Sequence, residues 1–177
     1  MRGRLTTALL VVLAVAVFFV FIAPGPRFRE FSRPRHAGSA ETLRGPARVV
    51  DGDTLDVGGR KVRLLGIDAP ERSQTCRRGG ETYACGHEAT AAMHELVGDG
   101  VVCQGRDTDR YGRLVAVCFH GRRDINAAMV EQGWAVAYRQ YSTDYVEAET
   151  TAHAARRGLW AGSFDQPQDW RRQHRPR

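Results

Sequence analysis

The stretch that most constrains this chain is Val49–Glu71, which reads VVDGDTLDVGGRKVRLLGIDAPE. Within it, Asp51-Gly52 and Gly58-Gly59 separate three short apolar runs. Two-residue turns of this composition favour β-hairpins, so the pattern predicts three consecutive antiparallel strands. In such a meander the start of the second strand and the end of the third strand lie at the same edge of the sheet.

Acidic residues lie at that edge. Asp53 starts the second predicted strand and Asp68 ends the third, so we expect their carboxylates to meet although they are distant in sequence. Ala69-Pro70 ends the third strand, because proline cannot donate to the strand ladder and keeps its predecessor extended. Asp68 and Glu71 are therefore predicted to lie at a rigid corner.

The Asp-Gly-Asp tripeptide also has an explanation without a function, since Asp and Gly dominate turns for backbone reasons and the other acids could be solvated. Two specific alternatives fail on spacing. An EF-hand loop starting at Asp51 requires Glu at its twelfth position, which is Val62. A twin-aspartate protease is signalled by Asp-Thr-Gly, whereas Asp53 is followed by Thr54-Leu55. Several hard oxygen donors together with Arg63 on the third strand favour a functional site.

Three amphipathic stretches after the meander predict helices. They are His87–Val97, the stretch from Ile125 to Gly133, and Asp144–Arg157. The first has apolar residues at spacings of three and four, and Gly98 ends it. Asp124 is expected to cap the second helix, and Ser142 or Thr143 the third.

A second hairpin is predicted between the first two helices. Its strands are Val101–Gln104 and Leu114–Phe119, which flank the polar loop Gly105–Gly112. The stretch Arg72–Cys85 is rich in Arg, Gly and polar residues and is predicted to be an irregular insertion. Five strands and three helices in this order predict an α+β domain built on a small β-barrel.

The first 40 residues are predicted to lie outside that domain. Leu5–Ala23 has 19 residues without a charge, and a helix of that length would be roughly 28 Å long, close to the thickness of the membrane hydrocarbon core. We therefore expect a signal-anchor that contacts the membrane. A cleaved signal peptide is the alternative, although the bulky Phe21 stands where its cleavage site prefers a small residue. Pro24–Ala40 is predicted to be a linker, a single domain is expected over residues 41–170, and residues 171–177 are predicted to form a solvated basic tail.

The positive charge of the chain is unevenly distributed. Residues 1–40 hold 6 Arg and 1 Glu, which is +5 of the net charge of +6. Residues 41–177 hold 20 basic and 19 acidic side chains. The high isoelectric point is therefore no argument that the domain binds nucleic acid, and any attraction for phosphate must come from local arginines.

Four cysteines fall within the predicted domain, at positions 76, 85, 103 and 118, and none forms a Cys-x-x-Cys pair. Their spacing and the lack of clustered histidines disfavour a zinc site. Cys76 and Cys85 bracket one loop, while Cys103 and Cys118 are placed as cross-strand neighbours in the second hairpin. We therefore expect two disulfides and a domain outside the cytoplasm, in the periplasm or at the cell surface. Free thiols packed as small apolar side chains remain an alternative.

Four motifs stand in order along the chain: VVDGDTL, VRLLGIDAPE, DRYGR at Asp109–Arg113 and GWAVAY at Gly133–Tyr138. Together they resemble the staphylococcal nuclease, or thermonuclease, family, and the resemblance runs from about Ala47 to Trp160. It implies a five-stranded OB-fold β-barrel with three α-helices. It also implies an endonuclease that hydrolyses the phosphodiester bonds of DNA and RNA with little sequence specificity.

The resemblance assigns a metal site and a base. It implies Ca²⁺ as the cofactor, held by the carboxylates of Asp53 and Asp68 and by the backbone carbonyl of Ala69. Such hard ligands favour calcium or magnesium over zinc. Glu71 would orient or deprotonate the attacking water. Ala69 replaces the threonine that is often found there, which changes little because the expected ligand is the carbonyl.

The resemblance also assigns the residues that contact phosphate. Arg63 and Arg113 would form paired hydrogen bonds to the developing phosphorane. Tyr111 and Tyr138 would sit beside the substrate phosphates, although Tyr138 by itself reads as a core aromatic. Arg110 stands where a lysine is common and keeps the positive charge.

A second hypothesis of another class remains open, namely a noncatalytic OB-fold module that binds nucleic acid or an envelope partner. An inactive relative would be expected to lose acids or arginines from the predicted site, and this chain retains all of them. We expect the protein to be a monomer with DNA and RNA as substrates.

Overall fold

The computed structural model describes residues 40–174, and a curled β-sheet forms the body of the domain within them. The strands of this sheet and of two short additional ladders are β1 (Glu41–Gly45), β2 (Ala47–Asp51), β3 (Thr54–Val57), β4 (Arg60–Leu64), β5 (Ile67–Asp68), β6 (Cys76–Arg78), β7 (Glu81–Tyr83), β8 (Val101–Thr108), β9 (Leu114–His120), β10 (Arg123–Asp124) and β11 (Val136–Ala137).

The predicted meander is formed by β2, β3 and β4. Thr54 lies opposite Arg63 in the β3–β4 ladder, which places the start of β3 beside the end of β4. The strand order across the sheet is β1-β8-β9-β4-β3-β2, with β10 on β9, and only β4 and β9 run parallel. Within residues 40–174 no ladder joins β1 to β2, so the sheet is a curled half-barrel, which is consistent with the expected OB-like fold, although the sheet has seven strands rather than five.

The α+β class is confirmed, but the described residues contain four α-helices rather than three. They are α1 (Cys85–Val97), α2 (Ile125–Glu131), α3 (Val146–Ala154) and α4 (Pro167–Gln173), and a 3₁₀ turn covers Gly158–Ala161. Asp124 caps α2 as predicted, because its side chain accepts a hydrogen bond from the backbone N–H of Ala127 at 3.0 Å. No side chain caps α3, which is shorter than predicted.

The strand prediction was wrong in three places. The third strand ends at Leu64 because Gly66, at φ 75°, turns the chain before Asp68, and β5 pairs with β11 instead. The stretch Arg72–Cys85 is not irregular, since β6 and β7 form a hairpin around Gly79-Gly80. Strand β1 was missed because its sequence, ETLRG, has little apolar character and pairs with β8, which is far away in the chain.

The core lies between the sheet and α1, α2 and α3. Its largest side chains are less than 2% exposed, and they include Leu55, Leu64, Ile67, Met93, Leu114, Ile125 and Met129. One buried polar residue, Asn126, accepts from the N–H of Cys118 and donates to the carbonyls of Leu65 and Ala116. Asn126 therefore ties α2 to the turn that precedes Asp68.

Both predicted disulfides are confirmed. Cys103 and Cys118 lie directly opposite each other in the β8–β9 ladder, with their Cα atoms 4.0 Å apart. Cys76 and Cys85 join the start of β6 to the start of α1, with a Cα separation of 5.6 Å. All four cysteines are therefore bonded.

The predicted anchor, Leu5–Ala23, lies outside the described residues, and so does the linker apart from Ala40. Of the helices between residues 40 and 174, none has the length and apolar character needed to cross a membrane.

Candidate active site

The turn between β2 and β3 sets one wall of the site. Asp51 Oδ1 accepts a hydrogen bond from the N–H of Asp53 at 3.1 Å, which holds the turn closed. A Cβ atom on Gly52 would lie 2.7 Å from the Cβ of Ala69, so only glycine lets the turn approach the corner after β5 this closely. Asp53 Oδ2 then accepts from the N–H of Ala69 at 2.9 Å.

Asp53 and Asp68 meet through a shared arginine. Arg63 Nη1 lies 2.5 Å from Asp53 Oδ2, and Arg63 Nη2 lies 2.9 Å from Asp68 Oδ1. The Asp68 side chain is 2% exposed and that of Arg63 is 14% exposed. The expectation that the two distant carboxylates come together is therefore met, with a guanidinium between them.

The third acid, Glu71, lies at the corner after Pro70 and is partly exposed. The N-terminal turn of α1 packs against this corner so closely that a Cβ on Gly86 would lie 1.8 Å from the Glu71 carbonyl oxygen. Gln74 is fully buried below it, where its Oε1 accepts from the N–H of Glu71 and its Nε2 donates to the carbonyl of Asp165. Gln74 thereby joins the corner to the segment that leads into α4.

A second arginine enters the site from α4. Arg171 Nη1 donates to Asp68 Oδ1 at 3.0 Å and to Glu71 Oε1 at 2.9 Å. Its Nη2 donates to Asp68 Oδ2 at 3.0 Å. The prediction that residues from 171 onward form a solvated tail was therefore wrong for Arg171, whose partners are about 100 positions away in the chain.

Burial and the proximity of a neighbouring carboxylate raise the pKa values of Asp51 and Asp68. Burial raises the pKa of Asp51 to about 6, and the neighbouring Asp53 carboxylate adds to that shift. Burial also raises the pKa of Asp68, with Arg171 and Arg63 opposing the shift and Asp53 adding to it. Buried carboxylates this close together are stabilised by cations, which Arg63 and Arg171 supply in the structure.

Arg113 is positioned from the neighbouring hairpin. Asp109 accepts from the backbone N–H of Arg113 and, at 2.7 Å, from its Nε. These hydrogen bonds outweigh partial burial and lower the pKa of Asp109. Arg113 Nη1 lies 3.3 Å from the Thr54 hydroxyl, which in turn donates to Asp53 Oδ1. A chain of hydrogen bonds thus connects Arg113 to the carboxylates.

The predicted phosphate-contacting residues line the rim. Tyr111 is 68% exposed, and its ring stacks beneath Arg110 at 4.8 Å and Arg113 at 5.5 Å. Tyr138 is half-buried, and burial raises the pKa of its hydroxyl, with nearby Asp68 adding to the shift. Tyr138 is therefore beside the acidic centre, whereas Tyr111 and Arg110 stand at its outer edge.

The donor set fits a hard divalent ion. Asp53, Asp68 and the carbonyl of Ala69 offer only oxygen atoms, which suits calcium or magnesium. Between residues 40 and 174, however, no group of three or more His, Cys, Asp or Glu side chains is arranged so that it could hold a metal ion. The guanidiniums of Arg63 and Arg171 occupy the space among the acids instead.

Sequence reasoning identified the acids and Arg63, but it missed three residues that organise them. Gln74 and Asp109 are polar residues in loops, and only Asp109 carried a signal, because it stands in the DRYGR motif. Arg171 stands in the basic run WRRQHRPR, where one arginine cannot be told from another without the fold.

Comparison with known proteins places these residues in context. The family model described as staphylococcal nuclease homologue matches residues 61–162. A Haemophilus influenzae protein described as an uncharacterized endonuclease is 40% identical over 137 residues, which cover 72% of each chain. A micrococcal nuclease of Shigella flexneri is 33% identical over 94% of this chain and 95% of its own length. A Rhizobium meliloti protein described as succinoglycan biosynthesis protein ExoI is 38% identical over 70% of this chain and 68% of its own.

Proposed function

Because the chain belongs to the family of staphylococcal nuclease homologues, we propose that it is a Ca²⁺-dependent nuclease that cleaves phosphodiester bonds of DNA and RNA with little sequence specificity. The observation that carries the proposal is the convergence of Asp53, Asp68 and Glu71 on one corner with Arg63 among them. Relatives described as a micrococcal nuclease and as endonucleases support the same class of reaction.

Asp53, Asp68 and the carbonyl of Ala69 would hold Ca²⁺, which would supply positive charge to the phosphate and to the attacking water. Asp53 is pre-oriented for this role by the N–H of Ala69 and by the hydroxyl of Thr54. Glu71 is the most exposed of the three acids that converge on the corner, which lets it take a proton from a water that approaches from solvent.

Two arginines would stabilise the charge that develops on phosphorus. A planar guanidinium binds two phosphate oxygens at once, which an ammonium cannot do. Arg113 is aimed by Asp109 and Thr54, and Arg63 is held by the acids that surround it. Tyr111 and Arg110 at the rim would contact the flanking phosphates or bases of the substrate.

We further propose that the domain works outside the cytoplasm, either membrane-anchored or secreted. The two disulfides support this location, because such bonds form and persist in oxidising compartments. The uncharged run Leu5–Ala23 is consistent with export, either as an anchor or as a cleaved signal. Cell fractionation and N-terminal sequencing would distinguish these two forms.

The test is hydrolysis of single-stranded DNA, double-stranded DNA and RNA by the full chain, purified in a mild detergent, with Ca²⁺ or with a chelator. Wild-type protein should cleave all three with Ca²⁺ and none with the chelator. Asp68→Asn should weaken Ca²⁺ binding, so cleavage should require a higher Ca²⁺ concentration. Raising Ca²⁺ should partly restore the rate, because the amide still offers one oxygen. Glu71→Gln should lower the rate at every Ca²⁺ concentration, because it removes the base but no proposed ligand.

The matched control is Lys61→Gln, which changes an exposed residue of the same strand as Arg63. It should cleave at the wild-type rate. Wild-type protein that binds DNA but leaves it intact at all Ca²⁺ concentrations would contradict the proposal and favour the noncatalytic binding module. Cleavage that persists in the chelator would overturn the metal requirement alone.

A further inference from the structure

α4 places a cation in the proposed metal site, where it contacts the proposed ligand Asp68 and the proposed base Glu71. The guanidinium of Arg171 makes three hydrogen bonds of 2.9–3.0 Å, two to Asp68 and one to Glu71. Arg63 contacts only one oxygen of Asp68, namely Oδ1. Among the described residues, Arg171 is therefore the group that occupies Asp68 Oδ2 and Glu71 Oε1.

A metal ion at the same positions would compete with these contacts. The lone pair of a carboxylate oxygen that accepts from a guanidinium at 3.0 Å is not available to a calcium ion, and an ion bound to the other lone pair would lie close to the guanidinium. Both groups are cations, so they also repel each other at close range. Release of Arg171 would free one oxygen of Asp68 and one of Glu71, and would leave the cluster more negative.

The attachment of α4 makes such a release feasible. Of its seven residues only Pro167 is buried. The Arg171 side chain is 32% exposed, so it can leave the site without unpacking a core. The segment before the helix is attached to the domain separately, by the hydrogen bond from Gln74 to the Asp165 carbonyl, by the bridge of Ser163 to Arg77 and by the packing of Phe164. These contacts do not have to break for Arg171 to leave the site.

We propose that Arg171 is an internal competitor of the divalent cation, which closes the site when the cation is scarce and is displaced when the cation binds. Arg171 is thus a positioning residue that sets the Ca²⁺ concentration at which the site fills. The inference rests on the proposed metal site and deepens it.

The size of the effect follows from competition. The apparent affinity of a ligand falls by the fraction of protein in which its site is open. Charge-assisted hydrogen bonds to a guanidinium that is one-third exposed favour the closed form by about a factor of ten. Removing the competitor should therefore tighten Ca²⁺ binding about tenfold.

The experiment compares wild type, Arg171→Gln and Arg172→Gln as full chains by calorimetric titration with Ca²⁺. Arg172 neighbours Arg171 on α4, is 68% exposed and pairs only with Asp169, so its replacement removes the same charge without touching the site. Arg171→Gln should bind Ca²⁺ about tenfold more tightly than wild type, and Arg172→Gln should match wild type.

Hydrogen exchange of the peptide that covers α4 supplies a second readout that does not depend on activity. Ca²⁺ should accelerate exchange in the wild type and leave Arg171→Gln, already fast, unchanged. Equal Ca²⁺ affinity in wild type and Arg171→Gln would contradict the proposal that Arg171 competes with Ca²⁺, without affecting the proposed nuclease function. Weaker binding in Arg171→Gln would also contradict that proposal, because Arg171 would then support the metal. Absence of Ca²⁺ binding in all three proteins would contradict both the proposed metal site and the proposed competition by Arg171.

Discussion

The two sides of the candidate site are built differently. The sheet side, which we define as Asp53, Arg63 and Asp68, lies on or beside β3, β4 and β5, and none of its side chains is more than 14% exposed. The helix side is α4 with Arg171, whose segment is linked to the domain through Gln74 and the β6–β7 hairpin. The sheet side is held by strand pairing and by the core. The helix side is held by a few polar contacts and, just before α4, by Phe164, which packs against a small separate apolar cluster.

This difference indicates a division of labour. Groups that stabilise a transition state must be fixed in advance, because a donor that reorganises during the reaction contributes less. The sheet side meets that requirement. A group that regulates access has to move at low cost, and the helix side meets that requirement, since α4 has one buried residue. The predictions below test whether the two sides separate in this way.

The largest effect is expected from Arg63 and Arg113, the two arginines that are proposed to bind the phosphate. Arg63→Lys and Arg113→Lys keep the charge but lose the planar fork, so each should lower kcat by about 10²–10³-fold, or about 3–4 kcal/mol. The measurement is kcat on one DNA substrate at saturating Ca²⁺, for variants whose thermal unfolding matches wild type. Arg172→Gln serves as the control and should keep the wild-type kcat.

Near-unchanged rates for both lysine variants would contradict the proposed catalytic role of the fixed residues. Arg63 of the sheet side, and Arg113 next to it, would then have no role in stabilising the charge of the transition state. The preparation must be free of contaminating nuclease, which Glu71→Gln made in the same host would reveal as residual activity.

Local signals predicted most of the sheet side. Turn chemistry at Asp51-Gly52 and Gly58-Gly59 located β2, β3 and β4, and the cap at Asp124 located α2. The same signal at Gly79-Gly80 was available for the β6–β7 hairpin but was outweighed by the polar composition around it. These features depend on residues within a few positions of one another, which is the range over which sequence patterns are informative.

The helix side could not be predicted in this way. Arg171 meets Asp68 across 103 positions, and Gln74 meets Asp165 across 91. Neither contact has a periodicity or a turn signal, because each exists only after the sheet has folded. Strand β1 was not predicted for the same reason, since its partner β8 lies about 60 residues further along the chain.

The second prediction compares the two disulfides. By the chain-entropy model, closing loops of 15 and 9 residues contributes about 3 and about 2.5 kcal/mol respectively. Replacing either pair by alanine should therefore lower the melting temperature on the order of 10 °C. The two replacements should affect different parts of the domain. Loss of Cys103–Cys118 should weaken the sheet, whereas loss of Cys76–Cys85 should loosen the hairpin that holds the segment before α4.

Hydrogen exchange monitored peptide by peptide distinguishes these outcomes. Under native conditions, exchange in α4 should accelerate in Cys76→Ala/Cys85→Ala and stay near wild type in Cys103→Ala/Cys118→Ala. Equal acceleration of α4 in both variants would show that the helix side is not attached through the hairpin.

The third prediction concerns Gln74, which joins the two sides. Gln74→Ala removes this fully buried amide, so the Glu71 N–H and the Asp165 carbonyl lose their hydrogen-bond partner. Each lost hydrogen bond contributes about 1 kcal/mol, so the loss of both is expected to lower the free energy of unfolding by about 2 kcal/mol. Urea denaturation measures it, and Ser73→Ala, an exposed neighbour, should change stability by less than about 0.5 kcal/mol. A Gln74 variant as stable as its Ser73 control would show that the sides are joined elsewhere.

The smallest effect is expected at Arg78, which fastens the hairpin from outside. Its guanidinium lies 4.4 Å from the centre of the Tyr83 ring and donates to the carbonyl of Gly158 at 3.1 Å. Because the site is exposed, Arg78→Ala should lower the free energy of unfolding by only about 0.5–1 kcal/mol. Arg77→Ala is the matched control, since the Arg77 side chain bonds only to Gly80 within its own hairpin and its backbone bridge to Ser163 is retained. In urea denaturation, the free energy of unfolding of Arg78→Ala should be lower than that of Arg77→Ala by about 0.5–1 kcal/mol. A loss above about 2 kcal/mol at Arg78 would mean that one contact dominates the attachment, and the picture of a helix side held by several weak links would then be wrong.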